Sequence, residues 1–573
     1  VIAVVVCLYA FGGKATPGLH IDGLFDLDHA DQIARLRAPI GYWNALALVL
    51  VMALPIALRV AIDRDRRPGW RLAALIAAFL LLSTTAMTYS RGGVLALAVA
   101  MAVLLALGRD RLRMLTAFAL AALAAIPVIA IAFGRESLTD SGAPLRDRIA
   151  DGRSITAMTI VMGAMLIAAA WWLLRAEREG SWTPQRTRTV SRGLALLAAF
   201  YLFASVGAAA NQPGGLGEQV SRSWHQFIDQ KQDKVADPVR LTSTNSGNRW
   251  VWWQEAVGSW SDRPFGGWGA GAFPVVHLQY RENTINVAQV HSAELQWLTE
   301  TGILGFGLAM TGFGLLGFAG VRRVRAAPPG RERELGVALL AAAAAWAVHA
   351  SIDWDFEIPG ATLPFLLFLG VLAATPAETP VEDKVPELFH DPERERGPTT
   401  SRVLGVGVAT VAACAIAASS LLPWLAVAKT NDAQDDAGVD APTPEILRAA
   451  AAEADVAAQL DPLSPDPLFA SYAIALQRGR VVEAREFLLE AAERAPNDYR
   501  VWQRLANVAL LVADRDGYRQ ASLRALSLNP RDPRLRRAAS RAVAFVAPPG
   551  SSATATGTPL PSRQGATAIL TSP

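Results

Sequence analysis

Long apolar runs separated by short charged blocks set the pattern of this chain. Stretches rich in Ala, Leu, Ile and Val occupy roughly 1–11, 41–58, 71–89, 93–107, 114–133, 155–174, 193–210, 303–320, 335–350, 361–375 and 403–427. Most approach the roughly 20 residues that a helix needs to cross hydrocarbon. In lipid such runs must be helical, because no solvent is present to bond the backbone amides. The pattern predicts an all-α fold, a polytopic transmembrane helical bundle with about eleven visible spans. The chain opens on "VIAVVVCLYAFGG" without an initiator methionine. This reads as the end of a helix whose start lies in a missing N-terminal part, rather than as a signal peptide.

The connections between the runs alternate in charge. "RVAIDRDRRPGWR" (59–71), "GRDRLR" (108–113), "RAEREGSWTPQRTRTVSR" (175–192) and "VRRVRAAPPGRER" (321–333) are basic, and cytoplasmic loops keep an excess of Lys and Arg. They take every second place, which puts the others outside: 12–40, "YSRGG" (89–93), 134–154, the long loop 211–302 and "SIDWDFEIPG" (351–360). His291, Arg91 and Asp353 then share the extracytoplasmic face, as does everything from about 428 onward. The Pro- and Glu-rich linker 376–402 falls on the cytoplasmic side.

Composition adds exclusions. The 573 residues are 52% hydrophobic and 18% charged, which rules out an ordinary soluble protein. A net charge of +3 says little about partners. Cys7 and Cys414 both lie inside apolar runs, so neither a disulfide framework nor a zinc site is indicated.

The outer loop 211–302 is long enough to be functional. Its tryptophans at 250, 252, 253, 260 and 268 suit an interfacial helix, since indole prefers the headgroup zone; they also suit stacking on sugar rings. Gly267, Gly269 and Gly271 in "PFGGWGAGAF" are spaced two apart without a strand–turn–helix frame, so no dinucleotide fingerprint is present. They are expected to permit a tight turn and a close backbone approach. "GGKAT" (12–16) lacks the earlier glycine of a phosphate-binding loop. Asp353 and Asp355 form a two-aspartate pattern of the kind with which some glycosyltransferases hold a metal. The plainer expectation is an acidic loop that caps helix ends.

A histidine and arginines at membrane level on the outer face suggest one chemistry. Nucleoside triphosphates and nucleotide sugars are not expected outside a bacterial cell membrane, so a group donor there must arrive activated and membrane-bound. A glycan on a polyprenyl diphosphate meets that demand. Arginine's planar fork suits the departing phosphate oxygens. A histidine titrating near neutral pH suits the acceptor hydroxyl.

The stretch from Arg249 to Gly305 resembles the O-antigen ligase and O-antigen polymerase superfamily. The matching features are Arg249, "WVWW", "PFGGWGAGAF" and "HSAELQWLTETG". "TYSRGG" (88–93), "HASIDWDFEIPG" (349–360) and "GYWNALAL" (41–48) are similar to further segments of that family. The resemblance covers roughly 41–375. It implies His291 as the base on the acceptor hydroxyl and Arg91 and Arg249 as clamps on the lipid diphosphate. Gly267, Gly269, Gly271, Ser292 and Trp253 are supporting residues. It implies a metal-independent reaction without a cofactor, in a bacterial inner membrane. The partners implied are a polyprenyl-diphosphate-linked glycan, an acceptor glycan, lipid or protein, and membrane lipid; no nucleic acid is expected. Ser292 departs from the asparagine that the family often places after the histidine.

From about 443 the chain turns to Ala, Leu, Arg and Glu in helical periodicity. Asp466, Asp498 and Asp532, each in a Pro-Asp or Pro–x–Asp corner, are 32 and 34 residues apart. That period resembles tetratricopeptide repeats over 443–545, suited to holding a protein partner or an acceptor; the alternative is a small helical domain without a specific ligand. The tail 546–573 lacks hydrophobic pattern and is expected to be disordered. The domain reading is therefore a membrane transferase over 1–427, the repeats, and the tail. A glycan ligase is the leading function. The alternatives are a lipid-linked glycan polymerase, a transporter, and a non-enzymatic scaffold. The near absence of charge within the spans disfavours transport, and a scaffold leaves Arg91, Arg249 and His291 without a joint purpose.

Overall fold

The computed structural model describes residues 1–22, 25–27, 35–178, 189, 193, 215–230, 237–374 and 400–544. The chain forms two compact units, Val1–Phe273 with Val287–Val381, and Pro274–Asn286 with Glu382–Pro573. Twenty α-helices lie among the described residues. The only pairing of strands there is a two-residue antiparallel ladder, His20–Ile21 with Phe25–Asp26.

The first unit begins with α1 (Ile2–Ala15), α2 (Trp43–Ile62), α3 (Pro68–Met87), α4 (Arg91–Leu107) and α5 (Arg111–Gly134). The short α6 (Glu136–Thr139), α7 (Leu145–Arg178), α8 (Gly215–Ile228) and α9 (Arg249–Asp262) follow. Helix α10 (Phe273–Tyr280) leads into the second unit, and α11 (Ala293–Ala326), α12 (Arg331–Ala350) and α13 (Pro359–Ala374) complete the first. Helix α2 is apolar on every face and packs against α3, α4 and α12. Leu46, Leu48, Leu50, Leu54 and Leu58 are fully buried there, as expected of a helix at the centre of a bundle. Helices α7 and α11 are mostly unburied within the protein, with apolar flanks suited to lipid.

Seven described helices are long and apolar enough to cross a membrane: α2, α3, α5, α7, α11, α12 and α14 (Thr400–Ala437). The shorter α1, α4 and α13 are also apolar. These ten overlap ten of the predicted apolar runs; the run at 193–210 lies, but for residue 193, outside the described residues, as do linker residues 376–399 and the tail 546–573. Two boundaries need correction. Helices α7 and α11 each start ten residues before the predicted apolar run, because their first turns are polar (Arg146, Asp147 and Arg148; Glu294 and Gln296) yet still helical. The supposed long loop 211–302 accordingly contains α8, α9, α10 and the head of α11.

Three of the basic connections, 59–71, 108–113 and 321–333, gather at one end of the first unit. Arg331 Nε lies 3.2 Å from Asp63, Arg333 Nη2 donates to Leu107 O at 2.9 Å, and Arg59 Nη1 stands 3.4 Å from Asp110. The residues singled out for chemistry collect at the opposite end.

In the second unit α14 packs on α15 (Pro444–Leu460), and α16 (Asp466–Gln477) pairs with α17 (Val481–Arg494). Helix α18 (Tyr499–Leu511) pairs with α19 (Arg515–Leu528), and α20 (Pro533–Ala544) follows. Leu468, Tyr472, Leu488, Val501, Leu505 and Tyr518 share one core. The aspartate corners begin helices: Asp498 accepts Arg500 N at 2.8 Å and Asp532 accepts Arg534 N at 2.6 Å, which satisfies amides that a helix start leaves unpaired.

Candidate active site

The site is organised around Asp353, which follows α12 and is buried. Its Oδ1 accepts from Tyr42 Oη at 2.8 Å and from Trp354 N at 2.9 Å. Its Oδ2 accepts from Asn44 Nδ2 at 2.6 Å and from Arg249 Nη2 at 2.5 Å. One carboxylate thus ties the start of α2 to the start of α9. The aspartate pair does not form an exposed acidic loop that caps helices, the plainer expectation above. Asp355 is also buried, and its carboxylate contacts His349 Nδ1.

Helix α9 presents Arg249 as its first residue, after Asn248 in the left-handed region at φ 71. Further along, the ring of Trp252 lies 4.7 Å from that of His291, and Trp253 Nε1 donates to His291 O at 3.3 Å. His291 itself has φ 59, a conformation that costs a non-glycine residue energy and persists only where its surroundings enforce it. Its Nδ1 lies 3.0 Å from Gln289 O. A carbonyl only accepts, so Nδ1 carries the proton and Nε2 keeps the lone pair. Ser292 caps α11, its Oγ accepting from Leu295 N at 3.4 Å. It therefore fixes the backbone next to His291.

The glycine loop supports this arrangement from below. Helix α11 breaks at Gly302 (φ 63), which would strand backbone groups on both sides of the break. The loop supplies their partners. Trp268 N donates to Thr299 O at 3.0 Å and Gly269 N to Glu300 O at 2.8 Å, while Ile303 N donates to Pro264 O at 2.8 Å. The fit depends on missing side chains: a Cβ on Gly267 would stand 2.4 Å from Glu300 C and O, and one on Gly302 would stand 2.1 Å from Phe265 O. Gly267, Gly269 and Gly271 all have positive φ. They shape the turn and its docking rather than a phosphate cradle.

The "SRGG" turn starts α4, with Ser90 Oγ accepting from Gly93 N at 3.0 Å. A Cβ on Gly92 would stand 2.7 Å from His349 Nε2, so only glycine brings α4 this close to α12. Arg91 Nη1 donates to Ser243 O at 2.6 Å. Arg35 is buried beside the same turn: Nε donates to Thr88 O at 2.9 Å, and the guanidinium lies 4.2 Å from the centre of the Trp43 ring. Burial, and then the charges of Arg240 and Arg249, push the Arg35 pKa down, so these three arginines crowd one region. Arg35 Nη1 and Arg249 Nε are buried without a partner among the described residues.

Burial pushes His291 down to about 4, with Asp353 pulling the other way and Arg249 pushing further. The imidazole is thus neutral at physiological pH. Burial would raise Asp353, but Arg249, then His291 and His349, hold it down at about 2. Burial lifts Asp355 to about 6 against the pull of His349. His349, Asp353 and Asp355 offer ligand atoms within 4.8 Å of one another, the spacing of a metal site. Asp353, however, already accepts four hydrogen bonds, one from a guanidinium. A metal ion there would have to displace one of those donors; as the site stands, the cation on Asp353 is Arg249.

Of the residues expected to act, His291, Arg249 and Trp253 stand together, and Arg91 is held against Ser243 in the strand of chain leading to Arg249. Sequence reasoning gave no role to Arg35, Arg240, Tyr42 or His349. Tyr42 and His349 sit inside the quoted segments "GYWNALAL" and "HASIDWDFEIPG", and that placement was the available signal.

A family model described as O-antigen ligase matches residues 149–310. The match takes in most of α7, then α8, α9, the glycine loop, α10, His291 and about half of α11; Arg91 and Asp353 lie beyond it. Comparison with curated proteins finds no match. The matched segment and the long apolar helices make this chain similar to multi-pass membrane proteins of the O-antigen ligase kind.

Proposed function

We propose that the protein transfers a glycan from a polyprenyl diphosphate carrier to an acceptor hydroxyl on the extracytoplasmic face of a bacterial inner membrane. One observation carries this reading: a neutral histidine whose Nε2 keeps its lone pair stands in the same cluster as Arg249 and Arg35, whose Nε and Nη1 respectively are buried without a hydrogen-bond partner among the described residues. In the reaction, Nε2 of His291 takes the proton of the acceptor hydroxyl as its oxygen bonds to the anomeric carbon. The bond from that carbon to the diphosphate oxygen breaks, and the polyprenyl diphosphate leaves with the electron pair. Arg249, Arg91 and Arg35 offset the charge that grows on the leaving oxygens, as oriented cations do in a site sheltered from water. Asp353 holds Arg249 in place, and Trp253, Ser292 and the glycine loop hold His291. The C-terminal helices, read as tetratricopeptide-like repeats, present a surface for a protein partner or the acceptor.

The test is a reconstituted transfer assay with lipid-linked glycan from the native host. Wild type should release polyprenyl diphosphate and form a glycan product, with or without chelator. His291→Ala and Arg249→Ala should fail while remaining folded. Full activity in both variants, or arrest by chelator alone, would sink the reading and move attention to Asp353 and Asp355.

A further inference from the structure

The end of the first unit opposite the candidate site holds a second concavity, about 410 Å3 in volume, between the first turns of α3 and α5 and the last turns of α7. That volume falls in the range typical of small-molecule sites, roughly 300–1,000 Å3. Its two surfaces differ in character. The inner wall is apolar, with Leu72, Leu75, Leu120, Leu173 and Leu174. The rim carries Arg64, Arg71, Arg109, Arg111 and Arg113, with Asp110 the one carboxylate among the described lining residues. Asp110 is already engaged by Arg59 at 3.4 Å and by Arg113 at 3.8 Å.

Two of the rim guanidiniums are oriented from behind. Arg71 Nε donates to Ala61 O at 3.0 Å, and Arg111 donates to Ala106 O at 3.0 Å and Gly108 O at 3.2 Å. These bonds satisfy carbonyls at the ends of α2 and α4, and they fix where the planar groups lie. Arg64 and Arg109 are exposed. Trp70, Trp171 and Trp172 are 63%, 54% and 65% exposed, on the same turns of α3 and α7. Exposed indoles at the ends of membrane helices mark the headgroup level.

We propose that this groove is a binding site for an anionic phospholipid, with the phosphate on the arginine rim and the first acyl carbons against the leucine wall. Topology alone accounts for arginines in these loops. It does not account for their convergence on a leucine-lined cavity at headgroup depth. A free phosphate has no use for the leucines, and a neutral lipid has no use for five arginines. Basic pockets between membrane helices take anionic lipid headgroups on the same physical grounds. This site is separate from the proposed transfer chemistry and does not depend on it.

The test uses the full chain purified in detergent and exposed to dioleoylphosphatidylglycerol, dioleoylphosphatidylcholine or glycerol 3-phosphate. Bound lipid is counted by native mass spectrometry, and thermal unfolding is followed in parallel. The phosphatidylglycerol should bind saturably and raise the unfolding temperature, while the other two do not. The double variant R64Q/R109Q, altered only at exposed positions, should unfold like wild type without lipid. It should bind phosphatidylglycerol roughly thirtyfold more weakly, the effect of two basic side chains facing an anionic lipid surface. Leu120→Trp, which fills the inner wall, should reduce binding without changing the rim. The proposal is overturned if both variants bind like wild type, if phosphatidylcholine binds as well, or if glycerol 3-phosphate competes on equal terms with the lipid.

Discussion

Arginines crowd both ends of the membrane unit in opposite surroundings. At the site end Arg35 is 4% exposed and Arg249 is bonded to a buried carboxylate; their neighbours are a tryptophan face, main-chain carbonyls and each other's charge. At the other end Arg66 and Arg322 are exposed and lie outside the groove. Taking a charge out of water costs several kcal/mol per ion unless partners repay it, whereas an exposed arginine costs almost nothing. A buried arginine is therefore retained only inside a network that over-determines its position. An exposed one outside the groove matters through the number of charges in its loop, and its exact position is free to vary. The contrast separates residues that act by geometry from residues that act by charge density.

The contrast is tested most severely at Arg249. Arg249→Ala leaves Asp353 buried beside Tyr42 and Asn44 with no cation. Removing one partner of a buried pair costs about 3–5 kcal/mol, so the unfolding temperature should drop along with activity. Replacing both partners with apolar residues (Arg249→Met with Asp353→Leu) should recover much of the stability and none of the turnover. If activity returns with stability, Arg249 is a strut rather than a clamp.

His291→Ala should come next, lowering turnover by roughly 10²–10⁴, the usual worth of a general base, with little change in unfolding temperature. The pH profile sharpens the assignment. A base works only when unprotonated, so its contribution is present above its pKa and lost as pH falls through it. With His291 held down at about 4, turnover should stay level from pH 7.5 to well below the ordinary histidine range. An acid limb near 6 that vanishes in Asp355→Asn belongs to the Asp355–His349 pair. One at 6.5 that survives there and vanishes in His291→Ala shows that the imidazole is wetter than its packing indicates.

These residues were unequally visible in the sequence. The spans were legible because lipid permits only helices, and the apolar runs reveal them without any tertiary information. The starts of α7 and α11 were placed late because hydropathy reports where lipid begins, while a helix continues into polar turns. His291, Arg91 and Arg249 were named because each sits in a compact local pattern. The network that holds them was not legible, since Asp353 reaches Arg249 across 104 positions and Tyr42 across 311. No local period carries such a pairing. Arg35 was hidden more completely, as one of two neighbouring arginines, with Arg37, in an acidic connection with no motif around it. The glycines were understood in kind, as a tight turn and close approach. What they approach, the broken backbone of α11, required the fold.

That approach gives a smaller, purely structural prediction. Gly267→Ala adds a Cβ at φ 67 within 2.4 Å of the Glu300 carbonyl, and a side chain forced into such a conformation costs about 1–3 kcal/mol. The unfolding temperature should fall. Turnover should fall less than in His291→Ala, since the histidine itself is untouched. Gly269→Ala, with open space around its Cβ position, should show the backbone cost alone and therefore a lesser drop. Equal drops would mean that docking on α11 contributes nothing beyond the turn.

The smallest effect belongs to the exposed end, and it completes the contrast. Arg322, in the last turns of α11, is exposed, and surface substitutions of this kind fall within about 0.5 kcal/mol of neutral. Arg322→Gln should unfold and turn over like wild type, because "VRRVRAAPPGRER" keeps its remaining arginines and hence its charge density. Neutralising the other arginines of that connection one after another should leave turnover per correctly inserted molecule unchanged, while the fraction inserted correctly declines with their number. A sharp loss of turnover from Arg322→Gln alone, with insertion and unfolding unchanged, would show a positional role at the exposed end. Exposed arginines outside the groove would then act by geometry too, and the division between buried and freely exposed arginines would fail.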